Sequence, residues 1–140
     1  MNNSQKIITQ MYKNDKFSQW LGIQIIDLKD GYCKLRMKVR EEMMNGFQIA
    51  HGGITYSLAD SALAFASNSH GRMSLSLDTS ISHTISLKTD DELTAVTKEL
   101  SLSDKIGVFL ITITNQKKQQ VAIFKGTVYR TSKKWTLNKK

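Results

Sequence analysis

Residues 45–71 read NGFQIAHGGITYSLADSALAFASNSHG. From Gly52 the spacing predicts a helix to about Ser69, with Gly71 placed to stop it. Ile54, Leu58, Ala59, Ala62, Phe65 and Ala66 supply its buried surface. Alanine and serine fill the remaining faces, so this helix is expected to be covered nearly all round, as by a sheet wrapped about it. Between Glu42 and Arg72 the one formally charged side chain is Asp60, set in the middle of the apolar run. A buried, unpaired carboxylate costs several kcal/mol, so such a residue is protonated, partnered or functional.

Upstream, Ser4 is placed to cap an opening helix that carries Ile7, Ile8, Met11, Tyr12, Phe17, Trp20 and Leu21 at helical spacing. Asn14-Asp15 is expected to break it, and Gly22 to end this helical segment of residues 1–21. Residues 23–28 read as a strand and Asp30-Gly31 as a hairpin turn. The next strand alternates Cys33, Leu35, Met37 and Val39 with Lys34, Arg36, Lys38 and Arg40, and the basic set reads as a solvated face. Downstream, Met73, Leu75, Leu77, Thr79, Ile81, His83, Ile85 and Leu87 alternate with polar residues, predicting one long strand with a single apolar face. Strands at about 91–102, 105–115 and 119–131 follow, and residues 132–140 read as a frayed tail. Two strands, a long central helix and four strands define an antiparallel α+β architecture, not a nucleotide-binding alternation of strand and helix.

At 140 residues, with no Pro/Gly/Ser-rich linker and no repeat, the whole chain is expected to be one domain. No apolar run spans a bilayer and no leader sequence is visible, which predicts a cytoplasmic protein that does not enter membranes. The lone Cys33 excludes an intrachain disulfide. A net charge of +8 favours anionic partners, phosphate-bearing small molecules among them. The basic residues are scattered rather than gathered with aromatics, which argues against nucleic acid. His51, His70 and His83 show no ligand spacing with carboxylates or Cys33, so no metal is expected.

Two features of the central run carry chemistry. The His51-Gly52-Gly53 opening leaves backbone N–H groups free at a helix start, where the dipole favours a developing negative charge. Asp60 supplies a carboxylate able to act as a base or a nucleophile. Together they make a hydrolytic pair. Structural readings stand beside each: the two glycines allow a tight turn, and Asp60 bonds a backbone group or a serine. His51 either donates a hydrogen bond or anchors its loop. Asn45 either orients a substrate or fixes its loop as an Asx turn. His83, on the apolar face of its strand, reads first as a satisfied core histidine and second as a pocket residue.

The His-Gly-Gly opening, Asn45 six residues before it, Leu58-Ala59-Asp60 seven to nine after it, and Asn68-Ser69 at the helix end resemble the hotdog-fold thioesterases of the phenylacetic acid degradation type. The segments MYKNDKFSQWLGIQII and QQVAIFKGTVYR extend the resemblance over most of the chain. It implies a curved antiparallel sheet around the helix, pairing of two subunits through their sheets, and assembly of two dimers as a homotetramer. It implies hydrolysis of aryl-acetyl or short-to-medium acyl-CoA thioesters without cofactor or metal. Asp60 then matches the catalytic carboxylate and Gly52 the oxyanion-binding N–H. Asn45 and His51 match polar residues of the pocket, and Gly53 and His83 are candidate substrate contacts. Eight residues separate Gly52 from Asp60, about 12 Å along a helix, so both serve one carbonyl only if each site joins two subunits. The pattern departs at Ile85-Ser86, where the family often has Arg-Pro. The alternative function is a non-catalytic acyl-CoA-binding module, which gains nothing from a lone carboxylate beside a thioester.

Overall fold

The computed structural model describes residues 1–138. In chain order the elements are α1 (Asn3–Asn14), α2 (Lys16–Leu21), β1 (Gln24–Lys29), β2 (Tyr32–Lys38), a 3-10 turn (Glu41–Met43), α3 (Gly52–Asn68), β3 (Arg72–His83), β4 (Glu92–Leu102), β5 (Ile106–Thr114) and β6 (Gln120–Lys134). The strands form one antiparallel sheet in the order β1-β2-β4-β5-β6-β3, so β1 and β3 are its edges. α3 packs on strands β2 to β6, and its Leu58, Ala59, Ala62, Leu63 and Ala66 are all buried. Its opposite side is closed by α1 and α2, where Tyr12 meets Phe65 with ring centroids 6.1 Å apart and Ser18 Oγ lies 2.8 Å from Ser61 Oγ. The helix is enclosed on both sides, as its lack of a polar face predicts.

Small side chains set the spacing between helix and sheet. Gly126, on the inward face of β6, lies so close to α3 that a Cβ there would stand 2.6 Å from Leu63 Cδ2. Gly126→Ala is therefore expected to lower stability by about 1–3 kcal/mol through overpacking, read as a shift of the urea unfolding midpoint.

The helical break falls at Asp15, whose carboxylate caps α2 by accepting from Ser18 N and Ser18 Oγ. Asn2, not Ser4, caps α1, in a reciprocal pair with Gln5. Ser4 is instead buried, where its hydroxyl reaches Asp30 and the Ser69 carbonyl. The Asp30-Gly31 turn forms as expected, with Gly31 at φ +72°.

β3 departs most from expectation. It ends at His83, and its pairing with β6 slips between Ser76 and Asp78. A bulge of this kind changes which side chains face which way. Ser74 and Ser76 point inward before it, and Thr79 and Ile81 after it. Leu75 and Leu77 are left outside, 65% and 60% exposed. The single apolar face predicted for residues 73–87 is thus split. The chain end differs too. β6 continues to Lys134 and Trp135 N donates to Gly71 O, so an ordered segment replaces the frayed tail expected from 132; residues 139–140 of that tail lie outside the described residues. No helix among the described residues is long and apolar enough to cross a membrane.

Candidate active site

The opening of α3 is built by its cap. His51 Nδ1 accepts from Gly53 N at 2.9 Å and His51 O accepts from Ile54 N at 2.9 Å. Among the described residues nothing accepts from Gly52 N, which leaves one donor at the positive end of the helix. Gly52 is hemmed by His83, whose Nε2 would stand 3.3 Å from a Cβ at that position. Thr55 Oγ1 bridges the two, donating to Gly52 O and lying 3.1 Å from His83 Nδ1. His83 is exposed and not a core histidine, because β3 runs along the sheet edge past the open first turn of α3.

Asn45, Gly52, Thr55, His83, Ile85 and Ser86 line one cavity of about 250 Å³. Asn45 Oδ1 accepts from Phe47 N at 2.8 Å, the Asx-turn geometry, and its side chain borders the cavity as well. His51 and Gly53 belong elsewhere. They line a neighbouring groove with Phe17, Trp20 and Ser57. Ile85 and Ser86 bring no positive charge to the Gly52 cavity at the place where an Arg-Pro pair is absent.

Asp60 lies two turns further along α3 and lines a second, larger cavity of about 380 Å³. Met11, Leu63, Met73, Val128 and Trp135 line the same cavity, with Ser74 and Ser76 among its polar members. Among the described residues no hydrogen-bond donor reaches the Asp60 carboxylate. Burial raises its pKa above the ordinary aspartate value, and the negative charge of Asp15 adds to the rise. A carboxylate moved in that direction is a stronger base once ionised. Cys33 offers no competing nucleophile: burial pushes its thiol up to about 12.

A single chain therefore holds the unpaired Gly52 N–H and the Asp60 carboxylate in separate cavities. Sequence reasoning missed Ser76, Met11 and Trp135 as neighbours of Asp60. Ser76 was hidden among the alternating serines of β3, and Trp135 in a segment that read as tail.

Residues 47–122, which contain all of α3, match the family model described as the thioesterase superfamily. The chain belongs to the thioesterase superfamily. The acyl-coenzyme A thioesterase PaaI of Escherichia coli is 38% identical over 120 residues, 86% of this chain and 86% of that protein. The solved structure of E. coli PaaI superposes with a TM-score of 0.91 at 35% identity, covering 96% of this chain and 100% of that one. The smu.793 protein of Streptococcus mutans, solved bound to acetyl CoA, matches at a TM-score of 0.78 and 27% identity over 81% of this chain and 91% of that one. As a thioesterase-superfamily member of the PaaI kind, this protein has the hotdog fold and is a thioester hydrolase.

Proposed function

We propose that the protein hydrolyses acyl-CoA thioesters carrying aryl-acetyl or short-to-medium acyl groups, releasing the free acid and coenzyme A. The observation that carries this is the Asp60 carboxylate: unpaired, raised in pKa by burial, and set in a mainly apolar cavity that Ser76 also lines. Likeness to a PaaI thioesterase, and to a relative solved with acetyl CoA, supports the substrate class.

In this reading the thioester oxygen sits against Gly52 N–H, where the helix start stabilises the charge that forms as the carbonyl is attacked. Asp60 either removes a proton from the attacking water or attacks the carbonyl itself, forming an anhydride that water then opens. Collapse of the tetrahedral intermediate breaks the C–S bond and releases the CoA thiolate, which takes up a proton. Asn45, His51, Gly53 and His83 shape the surroundings: Asn45 and His83 border the Gly52 cavity, and His51 holds the first turn in place through Gly53 N.

The two groups meet by pairing two copies. β3 is a free sheet edge twelve residues long with Leu75 and Leu77 outward, surface suited to a partner. Antiparallel pairing of two β3 edges sets the Ser74–Ser76 end of one against the His83 end of the other. The Asp60 cavity of one protomer then adjoins the Gly52 cavity of its partner, and two such dimers form the tetramer. The test is steady-state release of free coenzyme A from phenylacetyl-, hydroxyphenylacetyl- and straight-chain acyl-CoAs. Turnover of one of these classes is expected, and binding without hydrolysis of any of them overturns the reading.

A further inference from the structure

Trp135 follows the last strand, yet it forms part of the Asp60 cavity. Its main-chain N donates to Gly71 O at 2.8 Å, and its indole Nε1 donates to Asn68 Oδ1 at 2.9 Å. Asn68 is only 2% exposed, and it has no spare valence. Its Oδ1 also accepts from Ser74 N, while its Nδ2 donates to Ala64 O and Ser74 O. The indole is therefore tied to the end of α3 and the start of β3 at once. The residues that follow cross to α1, where Gln10 grips them: its Nε2 donates to Thr136 O at 3.0 Å and its Oε1 accepts from Asn138 N at 2.8 Å. Met11, next to Gln10, faces the same cavity from α1.

This segment is a strap fastened at both ends: its Trp135 end borders the Asp60 cavity, and Leu137 and Asn138 line a separate groove with Gln10. A reacting carbonyl beside Asp60 has two sides. The leaving side carries the amides of coenzyme A, and the acyl side carries hydrocarbon. Met11, Leu63, Met73, Val128 and Trp135 suit hydrocarbon, whereas the Gly52 cavity is mixed, with Asn45, His83 and Ser86 set among Ile49, Ile85 and Leu87. The acyl group belongs in the cavity that Trp135 bounds.

We propose that the C-terminal strap sets the acyl size this thioesterase accepts, with the Trp135 ring as the wall that stops longer chains. The inference rests on the proposed function. A buried hydrocarbon pocket discriminates by tens of fold per methylene only where its wall is fixed, and here the wall is held by hydrogen bonds at both ends.

The experiment compares kcat/KM for butyryl-, hexanoyl-, decanoyl- and phenylacetyl-CoA in wild type, Trp135→Ala, Trp135→Phe and Gln10→Ala, with circular dichroism and oligomeric state recorded for each. Trp135→Ala is expected to raise the decanoyl-to-butyryl ratio by about tenfold or more. Trp135→Phe, which opens less space, moves it less, and Gln10→Ala, which frees the far end of the strap, moves it in the same direction. If Trp135→Ala does not fold, Trp135→Phe and Gln10→Ala carry the readout. Wild type active with an unchanged ratio in the folded variants overturns the proposal while leaving the thioesterase reading intact. Wild type that hydrolyses none of the four overturns both.

Discussion

Asp60→Asn is expected to lower kcat for thioester hydrolysis by about 10²–10⁴-fold while making the folded protein more stable at neutral pH. The two effects share one cause. Burial first, and then the charge of Asp15, raises the Asp60 pKa in the folded state above its unfolded value. A raised carboxylate pKa means that the native state binds the proton more tightly than the unfolded chain. Below the unfolded pKa both states are protonated and the carboxylate carries no penalty. As pH climbs from the ordinary aspartate value through the raised folded one, the wild type loses stability that the asparagine variant keeps. The gap in Tm between Asp60→Asn and wild type is therefore expected to be small in acid, to open as pH rises, and then to level off. On the activity side, kcat/KM of the wild type is expected to fall on the acid limb with an inflection above the usual aspartate range. Thermal unfolding at a series of pH values, beside CoA release, checks both. A variant that loses activity and is also less stable at neutral pH would show that Asp60 is a structural partner instead.

The second large effect is complementation between dead variants. Gly52→Val blocks approach to the helix start, since even a Cβ there stands 3.3 Å from His83 Nε2, and Asp60→Ala removes the carboxylate. Each homodimer is expected to be inactive. Co-refolded in equal amounts, half of the dimers are mixed, and one of the two sites in each mixed dimer is intact. About a quarter of wild-type activity should then return, a result possible only if each site draws its two groups from different subunits. Activity that stays at the level of the separate variants would place both groups in one subunit's site.

Much of this was legible in the sequence because single residues stood out against their surroundings. Asp60 was readable as the lone charge in an alanine-rich run, and the wrapped sheet followed from a helix without a polar face. The bulge after Ser76 was not readable, because alternation reports a period of two and an extra residue leaves apolar and polar letters still alternating on either side. It moved Leu75 and Leu77 outward and Ser76 inward, so the exposed patch and one neighbour of Asp60 were lost together. Trp135 escaped for a different reason. Its order depends on Asn68 and Gln10, which lie 67 and 125 positions earlier, and a basic chain end gives no local sign of such partners. Asp15 acts on Asp60 only because α2 folds back over α3, which is likewise a matter of packing rather than of spacing.

The bulge also bears on how the chain would behave before the proposed pairing of two copies. A straight twelve-residue edge with leucines outward is a template on which any extended segment could grow, and growth of that kind has no natural end. The slip between Ser76 and Asp78 interrupts the ladder at its middle, and Ser80 and Ser82 make the remainder of the outer row polar. A misaligned strand therefore meets a break in register within a few residues. A copy of β3 placed about the two-fold axis brings the same irregularity to the matching point. In the proposed dimer the defect would act as a key, favouring a closed pair over an open fibre.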